Sequence, residues 1–167
     1  AAKAAGVDEA TEKVLGEIAD TQLKSKGRIT RPTALLVDKS GSMAKSIEVG
    51  KQIGAMLSAI MDAPLFAYAF DNMPYPIIAK GNTLADWEKA FAGIRAGSGT
   101  SIGAGVKALI AGRQVVETII LVTDEGEVSK PEFWPTLVEY RAAVGADLQK
   151  SIDAVKELVA AMDKLVG

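Results

Sequence analysis

Three short runs of apolar residues constrain the fold of this chain more than any other feature. They cover residues 33–37, 65–70 and 118–122. Each run is five or six residues long and carries no charge, which is typical of strands that are covered on both faces. Helical spacing of apolar residues follows each run, so strands and helices alternate along the chain. The pattern predicts an α/β domain with a mainly parallel central sheet and helices on both faces.

The two ends of the chain differ from this alternating pattern. Residues 8–24 have the apolar spacing of a helix, and we expect residues 1–30 to form a helix or connector that precedes a domain over residues 31–167. The last stretch has the spacing of a long amphipathic helix, without a further β-branched run. The sheet should therefore be short on its C-terminal side, with about four strands. A strand over 75–79 should lie at an edge, where its proline is tolerated.

The composition excludes several classes of chemistry. The chain of 167 residues contains neither cysteine nor histidine, so disulfides, Cys/His zinc sites and Ser-His-Asp triads are impossible. A net charge of -2 without a basic run argues against direct binding of nucleic acid. No apolar stretch reaches the roughly 20 residues of a membrane-spanning helix, and no signal peptide is visible. The absence of cysteine fits a cytoplasmic location.

Oxygen-bearing side chains follow the predicted strands at the points where ligands bind in open α/β sheets. They are Asp38, Ser40 and Ser42 after the first strand, Thr100 in a glycine-flanked loop, and Asp124 after the last strand. Two aspartates at one edge would repel each other unless a cation lay between them. Three hydroxyls and two carboxylates nearly fill the oxygen shell that Mg²⁺ requires. The sequence therefore predicts a site for a hard divalent cation such as Mg²⁺ at this edge.

The same residues carry a resemblance to a known family. Residues 38–42 read Asp-Lys-Ser-Gly-Ser, which resembles the D-x-S-x-S signature of the metal-ion-dependent adhesion site (MIDAS) in von Willebrand factor A (vWA) domains. Residues 99–103 and 121–124 resemble the second and third motifs of that site. The resemblance extends over residues 30–143, and within the family it is nearest to bacterial relatives of the Ro (TROVE) group. The third motif departs from the usual Asp-Gly, because Glu125 intervenes.

The resemblance implies a Rossmann-like fold and a function. It implies Mg²⁺ or Mn²⁺ held by the five residues named above, with an open position that takes an acidic residue of a partner protein. On this interpretation the chain is a cation-dependent protein-binding module for adhesion or assembly, and it is not an enzyme.

Other interpretations of these residues remain open. An aspartate after the first strand is also the layout of metal-dependent phosphohydrolases that form an aspartyl-phosphate, although Ser40 stands where they need a second carboxylate. The chain could instead be the vWA component of a Ro-like ribonucleoprotein, or a scaffold with a vestigial site. Asp-x-Ser-Gly-Ser on its own is common in turns.

Several neighbouring residues have simpler interpretations. We expect Glu125 and Glu127 to be solvated loop acids, and Lys39 to be exposed. Ser101 is expected to cap the helix that follows it.

Overall fold

The computed structural model describes residues 28–41, 44–97, 99–123 and 126–166. The predicted helix over residues 8–24 lies outside these ranges, as do Ser42 and Asp124. The described elements, in chain order, are β1 Thr33–Asp38, α1 Ala44–Ile60, β2 Leu65–Phe70, β3 Pro74–Ile77, α2 Leu84–Ala90, α3 Ile102–Ala111, β4 Thr118–Val122 and α4 Phe133–Val166.

The strands form one four-stranded sheet in the order β3-β2-β1-β4. β1 pairs in parallel with both β2 and β4, and β3 pairs antiparallel with β2 at the edge. Asp38 at the end of β1 lies opposite Phe70, and Val37 lies opposite Val122. The carboxyl ends of the three parallel strands therefore meet at one edge of the sheet. The predicted mainly parallel sheet of about four strands is confirmed.

Helices cover both faces of the sheet, as predicted. Alternate residues of β1 supply the two layers, because successive side chains of a strand point to opposite faces. Ala34 and Leu36 belong to the layer packed under α3 and α4, and Leu35 and Val37 belong to the layer packed under α1 and α2. All six residues of β1 are buried, whereas the apolar residues of β4 are only half-buried. β1 is therefore the centre of the fold.

The chain after β4 forms a single helix, α4, of 34 residues. Its first turns pack against α3, and Tyr140 is buried among residues of both helices. Further along, Leu148, Ile152 and Val155 are about half exposed. No strand follows β4 in the described part of the chain, in agreement with the expected short sheet. None of the helices in that part combines the length and apolar character needed to cross a membrane.

Candidate metal centre

Asp38 is the last residue of β1, and its side chain is fully buried. Oδ1 accepts a hydrogen bond from the amide of Ser40 at 2.8 Å. Oδ2 accepts one from the hydroxyl of Thr123, directly after β4, also at 2.8 Å. These two bonds hold the carboxylate across the carboxyl ends of β1 and β4. Each oxygen has further acceptor capacity beyond the one hydrogen bond that it accepts among the described residues, so the group can still bind a cation.

Ser40 presents the most informative atom of the site. The residue is buried, and its Oγ has no hydrogen-bond partner among the described residues. Leaving a buried hydroxyl unpaired costs about 1–3 kcal/mol, so such groups are rare and call for an explanation. A buried hydroxyl that lies in the turn after Asp38 and has no partner in the described part of the chain is suited to ligate a cation.

Thr100 lies in the loop before α3 and is also buried. Its carbonyl accepts hydrogen bonds from the amides of Val128 and Ser129, at 3.1 and 2.9 Å. The next residue, Ser101, donates its amide to the carbonyl of Asp71 at 2.9 Å. The loop is thereby held between the end of β2 and the segment that follows β4, at the same edge of the sheet as Asp38.

The structure thus places three of the five predicted ligands, Asp38, Ser40 and Thr100, in buried positions at one edge. Ser42 and Asp124 lie outside the described residues, and the role of all five residues as metal ligands stays a prediction. The described residues contain no group of three or more acidic side chains that could hold a metal. A set built mainly from hydroxyls, with its second aspartate at position 124, does not require such a group.

Glu127 has a role that its sequence context does not reveal. Its Oε1 accepts hydrogen bonds from the amides of Ile102 and Gly103, at 2.8 and 3.3 Å, and its Oε2 accepts one from the amide of Phe133 at 3.0 Å. The expectation that Glu127 is a solvated acid is wrong, because it is half-buried and caps the first turns of α3 and α4. Its negative charge also offsets the positive end of the helix dipole at the N-terminus of α3. Without that charge, the helix dipole would disfavour a cation beside Thr100.

Ser101 stands at the N-cap position of α3, but it makes no side-chain cap there. Its hydroxyl donates instead to the carbonyl of Pro131 at 2.6 Å. The expected cap is therefore wrong for the Ser101 side chain, and the carboxylate of Glu127 caps the helix in its place. Glu127 reaches α3 from 25 residues further along the chain, and no local pattern signals a contact of that kind.

Lys39 is buried, not exposed as expected, and its ammonium pairs with the carboxylate of Asp71. Burial of Asp71 acts to raise its pKa and is the largest single influence. Hydrogen bonds from Lys39, from the amide of Met73 and from Tyr75, together with the charge of Lys39, outweigh it and hold the pKa below its ordinary value of 3.8. Asp71 therefore stays ionised beside its lysine.

Comparison with solved structures shows which fold this is. Proximal thread matrix protein 1 (PTMP1) from the mussel byssus superimposes with a TM-score of 0.55 and 17% identity, over 70% of this chain and 36% of that chain. The values are the same for PTMP1 with a zinc-occupied MIDAS motif. The Ro protein (RSR) of Deinococcus radiodurans gives a TM-score of 0.51 and 19% identity, over 70% of this chain and 25% of that chain. The chain has a von Willebrand factor A-like fold.

The vWA-like chain spans about a third of the length of PTMP1 and a quarter of the length of the Ro protein. No protein-family model matches its sequence. No curated protein matches it either. At these identities the likeness establishes the vWA fold, while the chemistry has to be argued from the side chains themselves.

The cap formed by Glu127 leads to a first prediction. Replacing Glu127 with glutamine removes the charge from the start of α3 and supplies one acceptor oxygen where the carboxylate supplied two. We expect the free energy of unfolding to fall by about 1–2 kcal/mol, measured by urea denaturation. Glu139→Gln is the matched control, because that residue forms an exposed ion pair with Lys107. The control should change stability by no more than about 0.5 kcal/mol, and equal losses would contradict the cap.

The lowered pKa of Asp71 predicts how stability depends on acid pH. A group whose pKa is lower in the folded state stabilises the fold at pH values above its unfolded pKa, and that contribution is lost as the pH falls through the folded pKa. The difference in unfolding free energy between the wild type and Asp71→Asn should be constant from about pH 7 to about pH 5. It should shrink as the pH falls below 3.8. Urea denaturation at a series of pH values measures it, and a difference that grows in acid would contradict the assignment.

Proposed function

We propose that this chain is a divalent-cation-dependent protein-binding module. In this proposal Asp38, Ser40, Ser42, Thr100 and Asp124 hold Mg²⁺ or Mn²⁺, and an acidic residue of a partner protein completes the metal shell. The observation that carries the proposal is the buried hydroxyl of Ser40, which has no partner among the described residues. Residues 31–167 would form the module, and residues 1–30 would form a helix or connector before it.

The donor atoms fit a hard divalent cation. Carboxylate and hydroxyl oxygens are the ligands that Mg²⁺ and Mn²⁺ prefer, and nitrogen or sulfur donors from histidine and cysteine are absent from the sequence. Asp38 is already oriented by the Ser40 amide and by Thr123, so it need not be ordered when the ion arrives. The zinc-occupied MIDAS of PTMP1, a protein of the same fold, supports a divalent metal at this edge.

The charge of the proposed ligand set favours an acidic partner. Two aspartates would balance the two positive charges of the ion, and the three hydroxyls would add none. The occupied site would therefore carry no net charge, so an incoming carboxylate could coordinate the ion without electrostatic repulsion, whereas a site built from three or four acids would repel that carboxylate. Binding of the partner would then depend on the metal and on a single Asp or Glu side chain of that partner.

The structure gives no support to the phosphohydrolase alternative. Chemistry of that type needs a second carboxylate two residues after the nucleophile, and Ser40 occupies that position. It also needs a lysine that contacts phosphate, and Lys39, which lies in the turn between Asp38 and Ser40, is buried in its pair with Asp71. We therefore propose a non-enzymatic function for the site. A place in a Ro-like ribonucleoprotein rests on fold similarity alone.

Selection from a random peptide library tests this function even though the partner is unidentified. The immobilised protein is panned in buffer containing Mg²⁺ and, in parallel, in buffer containing EDTA. The proposal expects peptides enriched only in Mg²⁺ to share one Asp or Glu, and replacement of that residue by Asn or Gln to abolish binding. Enrichment that is equal in EDTA, or peptides that bind without an acidic residue, would contradict it.

A further inference from the structure

Lys39 lies between two proposed ligands, Asp38 and Ser40, yet its charge is engaged elsewhere. Its ammonium pairs with Asp71, and the two side chains are only 10% and 7% exposed. The Lys39 Nζ also lies 4.7 Å from the centroid of the Tyr75 ring, and the Tyr75 hydroxyl donates to the Asp71 carboxylate at 3.4 Å. The pair therefore joins the turn after β1 to the turn after β2 inside the protein.

The backbones of the two paired residues hold the loop that carries Thr100. The Lys39 carbonyl accepts a hydrogen bond from the Gly97 amide at 2.9 Å, and the Asp71 carbonyl accepts one from the Ser101 amide at 2.9 Å. These two bonds lie on either side of Thr100 in the chain. Asp71 is itself held by the Met73 amide, which donates to its Oδ1 at 2.9 Å. The loop thus hydrogen-bonds to two residues whose side chains are locked together.

We propose that Lys39 and Asp71 are positioning residues of the metal site. Their ion pair holds the Thr100 loop against the Asp38–Ser40 turn before any cation binds. This inference rests on the proposed metal-binding function. A site that is ordered in advance loses less conformational freedom when its ligand arrives, so it binds more tightly. Buried ion pairs contribute more to a specific arrangement than to net stability in several proteins, and the position of this pair fits such a role.

The first readout is amide hydrogen exchange in the metal-free protein, resolved by residue with NMR. In Lys39→Met we expect the amides of Gly97 and Ser101 to exchange at least about tenfold faster, while the amide of Leu35 in β1 is unchanged. The double variant Lys39→Met/Asp71→Leu leaves no buried charge unpaired, so it should melt close to the wild-type temperature and still show the faster exchange. Lys39→Arg keeps the charge and should restore much of the protection.

The second readout is the dissociation constant for Mg²⁺, which we expect to rise about 10- to 100-fold in Lys39→Met and in the double variant.

Arg28→Met is the control, since Arg28 forms a half-exposed ion pair with Asp62 next to the bridge between Ile29 and Met61. It should alter neither readout. Unchanged exchange at Gly97 and Ser101 would overturn the inference, as would faster exchange with wild-type affinity. If the wild-type protein binds no Mg²⁺, the proposed function fails, and the exchange data alone decide whether the pair orders the loop.

Discussion

Replacing Asp38 with alanine should abolish the stabilisation that Mg²⁺ gives to the wild-type protein. A ligand that binds only the folded state raises the free energy of unfolding by about 2.7 kcal/mol at a concentration one hundred times its dissociation constant. Asp38 supplies one of only two charges in the proposed site, so its loss should remove that gain entirely. Urea denaturation with and without Mg²⁺ measures the gain in each variant. In metal-free buffer Asp38→Ala should also lose about 1–3 kcal/mol, because the Thr123 hydroxyl and the Ser40 amide lose their acceptor.

Asp62→Ala provides the matched control for this experiment. Asp62 is a half-exposed aspartate that pairs with Arg28, and it belongs to none of the site's segments. Its replacement should leave the Mg²⁺-dependent gain at the wild-type value. A full gain in Asp38→Ala would show that any bound metal lies elsewhere.

The second large effect is expected in the core, at Leu36. This residue of β1 is completely buried in the layer under α3 and α4, and its terminal carbons lie close to Gly105. Leu36→Ala would remove the three outer carbon atoms of the side chain and leave a cavity in the centre of the sheet. We expect a loss of about 3–5 kcal/mol in the free energy of unfolding, measured by urea denaturation.

Ile78→Ala is the control for Leu36→Ala, because Ile78 is also a branched aliphatic residue but is 79% exposed. It should change stability by no more than about 0.5 kcal/mol. A loss below about 1 kcal/mol for Leu36→Ala would mean that β1 is not the packed centre of the fold.

Much of the fold can be predicted because the strands are chemically distinct. Leu65–Phe70 and Thr118–Val122 match the predicted runs at both ends, since charged or turn-forming residues border each apolar run. Parallel pairing follows from the helices between the strands, and the short sheet follows from the missing β-branched run after residue 141. The edge strand is predicted less well, at 75–79, and is found at Pro74–Ile77. An edge strand that contains proline lacks a clear alternation of apolar and polar residues, so the sequence does not mark where the strand begins and ends.

The candidate site can be predicted less completely than the fold. The positions of Asp38, Ser40 and Thr100 at the carboxyl edge of the sheet can be predicted because these residues follow strand or loop signals within a few residues, while their role as ligands stays a prediction. Sequence reasoning places Lys39 and Glu127 in solvent, because charged loop residues usually face it. Their partners lie 32 and 25 residues away along the chain. The packing of the strands decides which loops come into contact. Local sequence therefore cannot reveal such pairs.

The most direct test of the central claim is calorimetric titration of Mg²⁺, and separately of Mn²⁺, into protein stripped of metal by a chelator. The account predicts saturable binding of one ion per chain, and no binding to Asp38→Ala. The absence of saturable heat for both ions, or binding that survives in Asp38→Ala, would contradict a metal site built on Asp38.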